Sequence, residues 1–142
     1  LEFGLLGSNG VDFLVTDKGV TVIEVNPRFQ GSLDTVELST GLNIFDAHLR
    51  SFAGELPKTL EPRCFAARTI IFAENELMIT KEISDMLVKC MNKGRSADIP
   101  QQGLVIRPDE PITTMLATAD TRITVLDKVS KSSRYVKERT EV

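Results

Sequence analysis

The sequence has few of the features that mark specialised protein classes. No apolar run approaches the roughly 18 residues of a membrane-spanning helix, so we expect no membrane span. The two cysteines, Cys64 and Cys90, are too few for a disulfide framework and are not spaced like zinc ligands. No segment shows the basic start and apolar core of a signal peptide. We therefore expect a cytoplasmic protein with two free thiols, and no membrane as a partner.

The sequence also has no large excess of charge of one sign. Its 17 Lys and Arg residues against 20 Asp and Glu residues give a net charge of -3. A nonspecific nucleic-acid binder should be basic, so we expect no nucleic-acid partner. Residues 1–60 carry 4 basic and 8 acidic side chains, and residues 61–142 carry 13 and 12. Close to this change, the prolines and glycine of residues 54–62 predict a linker between two structural units.

The length fits one domain, or one and a half small ones, because typical domains have about 100–150 residues. The 142 residues have ordinary globular composition, with 42% hydrophobic and 26% charged residues. The sequence starts at Leu1 rather than at a methionine. We therefore expect it to be a piece of a longer protein.

Two segments rich in β-branched residues, 11–16 and 20–26, predict a pair of strands. Residues 17–19 between them end in a glycine, as three-residue hairpin loops often do. Pro27 should end the second strand, because proline has no N–H for the ladder. The sequence therefore predicts an antiparallel hairpin close to the N-terminus.

The remaining patterns predict an α+β chain with antiparallel hairpins. Apolar spacing of the helical kind covers residues 34–38, 44–53, 81–92 and 121 to about 137, and strand-like segments cover 64–73, 103–107 and 113–118. Asn43 is placed to cap the second helix. The charged residues 137–142 are expected to fray.

The hairpin register predicts two carboxylates in direct opposition. Counting back from the loop places Asp12 across from Glu24, and Asn26 shares the face of Glu24. Facing carboxylates repel each other, so we expect a bound proton, a basic side chain or a cation to offset the repulsion. Neither strand contains lysine. Two carboxylates and an amide oxygen form an all-oxygen set that suits Mg²⁺.

Arg28 follows two residues after Asn26. Its planar guanidinium suits phosphate or carboxylate oxygens, so the group as a whole indicates a metal and a phosphate. The alternative is structural: Asp12 would be a solvent-facing strand residue and Asn26-Pro27 an ordinary turn. Taken singly, each residue fits that alternative better, whereas the combination favours the site.

These residues belong to a longer pattern. Residues 10–13, then residues 22–31 with their Glu-x-Asn-x-Arg motif, then residues 39–44 and 54–57, resemble the closing part of the ATP-grasp superfamily. The pattern is particularly similar to the branch of biotin carboxylase and carbamoyl-phosphate synthetase. The resemblance covers residues 4–57. It implies an α+β chain that is the C-terminal part of an ATP-grasp fold, followed by a small β-rich domain with helices.

The resemblance also implies roles for individual residues. Asp12, Glu24 and Asn26 correspond to ligands of Mg²⁺ or Mn²⁺, with Glu24 bridging two ions. Glu24, Asn26 and Arg28 correspond to residues at the bound nucleotide and metal. Arg28 corresponds to the catalytic arginine that contacts the reacting phosphate. Asp12 stands where the family more often has glutamate.

The family activates a carboxylate with ATP as an acyl phosphate, which an amine or another nucleophile then attacks. Gly31-Ser32 stand where biotin carboxylases carry Val-Glu, so we do not expect bicarbonate as the substrate. The family's adenine pocket, phosphate-binding lysine and glycine-rich lid precede the matching segment, and the sequence does not contain them. We therefore expect the full-length protein to be an ATP-grasp ligase that meets ATP and a small carboxylate through its N-terminal half.

This chain alone, in contrast, is expected to be inactive. The alternative is a noncatalytic interaction or regulatory module derived from an ATP-grasp protein, and a homodimer is left open. The expected domains are 1–57, the metal and phosphate part of the ATP-grasp domain, and 58–142, a small α+β domain without catalysis.

Two further features of the sequence are its single histidine and a row of basic residues near the C-terminus. His48, the single histidine, is expected to pack against nearby phenylalanines. Basic residues recur every three positions near the C-terminus, at Lys128, Lys131, Arg134 and Lys137. They could form a patch for an anionic partner, although a solvated helix face is the favoured interpretation.

Overall fold

The computed structural model describes residues 3–58 and 60–140. It divides into two compact units, Leu1–Arg63 and Cys64–Val142, here called the N-terminal and C-terminal units. The division follows Arg63, whereas the sequence predicts a boundary between Pro57 and Lys58. The N–H of Arg63 donates to the carbonyl of Ser39 at 2.7 Å, which ties the end of the linker to the N-terminal unit. No described helix is long and apolar enough to cross a membrane.

The N-terminal unit is a hairpin followed by two short helices. Its elements are strands β1 (Gly10–Thr16) and β2 (Gly19–Asn26), then helices α1 (Leu33–Thr40) and α2 (Ile44–Ser51). Helix α1 ends at Gly41, whose left-handed φ of 75° suits glycine and whose N–H donates to the carbonyl of Glu37. The predicted cap of α2 is confirmed, since Asn43 Oδ1 accepts from the N–H of Asp46 at 2.8 Å.

The turn of the hairpin is shorter than the sequence predicted. Thr16 pairs with Gly19 rather than with Val20, so the loop has two residues, and Gly19 has a φ of 118°. A register shift between Asp12 and Phe13 then adds one residue to the opposite strand. The two departures cancel, and Asp12 lies opposite Glu24 as expected.

The C-terminal unit contains two small antiparallel sheets and two helices. Its elements are β3 (Phe65–Phe72), β4 (Leu77–Met78), α3 (Lys81–Met91), β5 (Ser96–Ala97), β6 (Val105–Ile106), β7 (Pro111–Ala119) and α4 (Arg122–Thr140). One sheet has the order β3-β7-β5, and β4 pairs with β6. The α+β class is thus confirmed. The two-residue strands β4 and β5 were not predicted.

All buried hydrophobic side chains among the described residues belong to the C-terminal unit. Ile71, Leu87, Met115 and Val136 are at most 1% exposed and form the centre of this core. Helix α4 packs on β3 and β7. The expectation of fraying is wrong for residues 137–140, because α4 continues to Thr140, which is itself buried. Residues 141–142, the rest of that prediction, lie outside the described residues.

Candidate functional site

The candidate site lies on the hairpin, close to where β1 begins and β2 ends. Asp12 and Glu24 are directly opposite each other, and Asn26 is the last residue of β2. Asn26 Nδ2 lies 3.2 Å from Asp12 Oδ2 and 3.0 Å from Glu24 Oε1. The structure therefore brings together the three oxygen-bearing side chains that the sequence singled out.

The amide of Asn26 stabilises the two carboxylates without a cation. Its NH₂ group donates to both acids, and an ionised carboxylate only accepts hydrogen bonds. This arrangement offsets part of the repulsion between Asp12 and Glu24, and it was not among the three solutions that the sequence suggested. The opposed acids alone therefore do not require a metal.

The donor set nevertheless fits a hard divalent cation. An amide carries an acceptor oxygen on the same carbon as its NH₂ group, so a half-turn of the Asn26 amide presents Oδ1 to the position between the acids. Two carboxylates and an amide oxygen are ligands that Mg²⁺ accepts, with water or phosphate oxygens completing its shell. No three His, Cys, Asp or Glu side chains within residues 3–58 and 60–140 are grouped as metal ligands. A cation here would therefore depend on Asn26 as well as on the two acids.

Arg28 lies just beyond the carboxylates. Its N–H donates to the carbonyl of Asn26 at 2.8 Å, and its Nη1 donates to the carbonyl of Phe29 at 3.3 Å. The guanidinium makes no ion pair with Asp12 or Glu24 in the part of the chain that the structure describes. It is exposed, so it keeps donors that an external anion can engage.

The side chain of Gln30, for which the sequence predicted no role, holds the segment that carries Arg28. Gln30 Nε2 donates to the carbonyl of Arg28 at 2.9 Å and to that of Asn26 at 3.5 Å. The same side chain lies against Gly10, where an added Cβ would overlap it. The signal in the sequence is this buried glycine at the start of β1, because a glycine inside a strand often marks a close approach.

His48 packs as expected, between two phenylalanine rings. Its ring centroid lies 4.8 Å from that of Phe29 and 5.2 Å from that of Phe52. The N–H of Ser8 donates to His48 Nδ1 at 3.0 Å. The histidine thus joins the loop before β1 to α2, and it connects Phe29, the neighbour of Arg28, to the helix.

The hairpin exposes apolar side chains on both of its faces. Successive strand residues point to opposite faces, and both kinds are apolar here. The exposed fractions lie between 38% and 76% for Val11, Phe13, Leu14, Val15, Val20, Val22, Ile23 and Val25. Exposed apolar patches are typical of interaction sites in soluble proteins.

Comparison with known proteins agrees with the pattern read from the sequence. A family model described as an ATP-grasp domain matches residues 1–32, the stretch that contains Asp12, Glu24, Asn26 and Arg28. An uncharacterized protein of Methanocaldococcus jannaschii is 27% identical over 138 residues, which are 97% of this chain and 33% of that protein. The chain thus spans about a third of the length of this relative.

Solved structures share the fold. N5-carboxyaminoimidazole ribonucleotide synthetase from Thermotoga maritima is similar with a TM-score of 0.64 and 18% identity, over 91% of this chain and 36% of that one. L-amino acid ligase from Bacillus licheniformis has a TM-score of 0.65 and 18% identity, over 88% of this chain and 34% of that one. Pyruvate carboxylase from Rhizobium etli has a TM-score of 0.64 and 17% identity, over 91% of this chain and 14% of that one. With the family match, these likenesses confirm the resemblance to the ATP-grasp superfamily that the sequence predicted.

Proposed function

We propose that this chain supplies the metal- and phosphate-binding part of an ATP- and Mg²⁺-dependent ligase that joins a carboxylate to an amine or another nucleophile. The convergence of Asp12, Glu24 and Asn26 at 3.0–3.2 Å is the observation that supports this proposal most directly. The match of residues 1–32 to an ATP-grasp domain, and a ligase and a carboxylase among the similar structures, support the reaction class.

Each residue has a stated task in this proposal. Asp12, Glu24 and Asn26 hold Mg²⁺ or Mn²⁺, and Glu24 and Asn26 thereby also contact the bound nucleotide's metal. The cation supplies charge neutralisation for the phosphate oxygens. Arg28 contacts the phosphate that is transferred, because its exposed guanidinium can donate two parallel hydrogen bonds to an anion. Gln30 positions Arg28 by holding its carbonyl.

The reaction that we propose has two steps. A carboxylate oxygen of the substrate first takes the terminal phosphoryl group of ATP, and ADP leaves. A nucleophile then attacks the acyl carbon, and phosphate leaves with the oxygen that bridged it. Arg28 stabilises the negative charge on the phosphate in both steps.

We further propose that this chain belongs to a longer protein that contributes the rest of the site, because the chain spans only 33% of its relative from Methanocaldococcus jannaschii. Both faces of the hairpin expose apolar side chains, such as Phe13 and Leu14. This exposure is expected where the elements that would pack on a sheet are missing. ATP and the small carboxylate would then be bound between that part and this one, and the chain alone would not turn over. We also propose a cytoplasmic location, because neither Cys64 nor Cys90 forms a disulfide among the described residues.

The exposed hairpin also supports a second candidate. A noncatalytic interaction module would use the same apolar faces to bind another protein, and its carboxylates would need only the amide of Asn26. The two candidates differ in whether a divalent cation binds at Asp12 and Glu24.

The test is Glu24→Gln in the full-length protein. We expect Mg²⁺-dependent ADP formation to fall at least about 100-fold, because the neutral amide removes one of the two carboxylates with which this chain would hold the cation. The rise in melting temperature that Mg²⁺ causes in the parent protein should disappear as well. Asp17→Asn is the matched control, since Asp17 lies in the turn of the same hairpin and away from the site. An unchanged rate of ADP formation in Glu24→Gln would overturn the proposal and favour the interaction module.

A further inference from the structure

A groove in the C-terminal unit is lined by four cations and by no carboxylate. It has a volume of about 470 Å³ and lies between the turn that ends α3, the final part of β7 and one side of α4. Its basic side chains are Lys93, Arg95, Lys128 and Lys131, and we call it the basic groove. Ser132 adds a hydroxyl, and the other lining residues are uncharged. The site on the hairpin takes no part in it.

The fold collects these cations from two distant parts of the sequence. Lys93 and Arg95 flank Gly94, which turns the chain after α3 with a left-handed φ of 65°. The N–H of Leu116 in β7 donates to the carbonyl of Arg95 at 2.9 Å, which fixes this turn beside the sheet. Lys128 and Lys131 are three residues apart on α4 and therefore neighbours on its surface.

The structure places the four basic residues that recur every three positions on two different sides of α4. Three residues of an α-helix fall about 60° short of a full turn, so a row with this spacing winds around the helix. Lys128 and Lys131 line the basic groove. Arg134 and Lys137 lie on another side of α4, together with Thr69 of β3. Only half of the row thus belongs to the groove.

Three of the four cations of the groove have no acidic partner within residues 3–58 and 60–140. The side chains of Lys93 and Arg95 make no hydrogen bond or ion pair within the part of the chain that is described. Lys128 Nζ donates to the carbonyl of Thr118 at 3.0 Å, which is a neutral acceptor. Lys131 pairs with Asp127 at 2.7 Å in an exposed pair of the i,i+4 kind, which contributes little stability and can be exchanged for another anion.

Asp85, an acid beside the groove, is engaged by a lysine outside it. An adjoining depression shares Lys93, Arg95 and Lys131 with the groove and adds Glu82 and Asp85. Lys81 donates to Asp85 at 2.6 Å, and this hydrogen bond lowers the pKa of the Asp85 carboxyl. Asp85 therefore stays ionised and paired with Lys81 rather than with the cations of the groove.

We propose that the basic groove binds a small anion that carries a phosphate group. A phosphate dianion concentrates two charges and several acceptor oxygens on one centre, so Lys93, Arg95 and Lys131 can approach it together. The volume lies within the roughly 300–1,000 Å³ of small-molecule sites. Because every lining residue belongs to the C-terminal unit, the inference is independent of the ligase proposal.

A structural role makes a different prediction for the same residues. Lys93 and Arg95 follow the carboxyl end of α3, where cations stabilise the free carbonyls. In that case, their replacement lowers the stability of the C-terminal unit and leaves anion binding unchanged. Stability and affinity therefore have to be measured on the same variants.

The test uses inorganic pyrophosphate as the probe, titrated into the chain by calorimetry at low ionic strength. We expect saturable binding, weakened about tenfold by Arg95→Gln and by Lys131→Gln, since each variant removes one charge-assisted contact. Arg134→Gln is the matched control, because it removes the same charge from another side of α4. It should change the dissociation constant less than twofold. All three side chains are exposed, so the variants should fold, and a melting curve checks this.

Several results would overturn the proposal. Binding that does not saturate at millimolar pyrophosphate shows that the groove holds no phosphate. An equal loss in Arg134→Gln shows attraction to the general surface charge. Citrate binding more tightly than pyrophosphate would assign the groove to carboxylates. A lowered melting temperature of Arg95→Gln with unchanged affinity would assign it the structural role.

Discussion

The side chain of Asn26 can act in two ways, depending on which end of its amide faces the acids. With Nδ2 inward, it bonds to Asp12 and Glu24 and offsets their repulsion. With Oδ1 inward, it completes an oxygen set for a cation. An amide can serve both states because its two ends differ in hydrogen bonding and hardly in shape. If the proposed function is right, the residue would stabilise the hairpin both with and without a metal.

This double role predicts the effect of Asn26→Asp. A third carboxylate cannot donate to the other two, so the variant should be less stable in EDTA, by about 1–2 kcal/mol for two new like-charge contacts. Added Mg²⁺ should then raise its melting temperature more than it raises that of the parent protein, because the site carries one more negative charge. Thermal melts of the full-length protein in EDTA and in Mg²⁺ measure both effects.

Asn43→Asp is the control for this experiment. It makes the same chemical change at the cap of α2, where Asp and Asn are about equally good. It should therefore melt like the parent protein under both conditions. A variant Asn26→Asp that is stabilised in EDTA, or that gains nothing from Mg²⁺, would contradict the assignment of Asn26 as a ligand.

Sequence alone predicted which residues meet at the site, but not how they are bonded. The opposition of Asp12 and Glu24 follows from strand pairing and alternation, which are properties of the backbone. The predicted loop was one residue too long, and a bulge that the sequence does not mark restored the pairing. The direction of the Asn26 amide depends on local hydrogen bonding, so no pattern of residues could give it.

At the scale of elements, α4 shows where sequence patterns succeed and where they fail. The sequence predicts its start near residue 121, but it does not predict its end, because a charged terminal segment is typical of fraying. Val136 and Thr140 are buried on the same side of the helix, and this tertiary contact extends it to Thr140. The short strands β4 and β5 were missed for the same reason, since two residues carry no periodicity and pair only through the tertiary fold.

The burial of Val136 predicts a measurable loss of stability in Val136→Ala. This side chain is 0% exposed, so its truncation should lower the free energy of unfolding by about 2 kcal/mol. Tyr135 is the single tyrosine, and the sequence has no tryptophan, so protein fluorescence in a urea titration reports on the C-terminal unit alone. Ile123→Ala is the control on the same helix: Ile123 is 82% exposed, and its change should stay within about 0.5 kcal/mol. Equal losses in the two variants would mean that α4 is not docked through Val136.

At the scale of the whole molecule, the two units differ in how they are stabilised. Helix α4 covers one side of the β3-β7-β5 sheet, whose core includes Ile71 and Met115. The β1-β2 hairpin has the same kind of backbone ladder, but of its residues only Gly10 is buried. Backbone hydrogen bonds that lack a packed core open at low free-energy cost. The units should therefore open separately, the N-terminal one more readily.

Hydrogen exchange followed by mass spectrometry measures this difference and links it to the longer protein. In the 142-residue chain, we expect amides of β1 and β2 to exchange at least about tenfold faster than those of β3 and β7, because their ladder opens without exposing a core. In the full-length protein, the hairpin should become protected while β3 and β7 stay as they were. The second pair of strands is thus the internal control, since a general stabilisation would slow both. Equally fast exchange of the hairpin amides in the full-length protein would contradict this expectation. It would mean that the rest of that protein does not cover the apolar faces of the hairpin, and that a separate partner does.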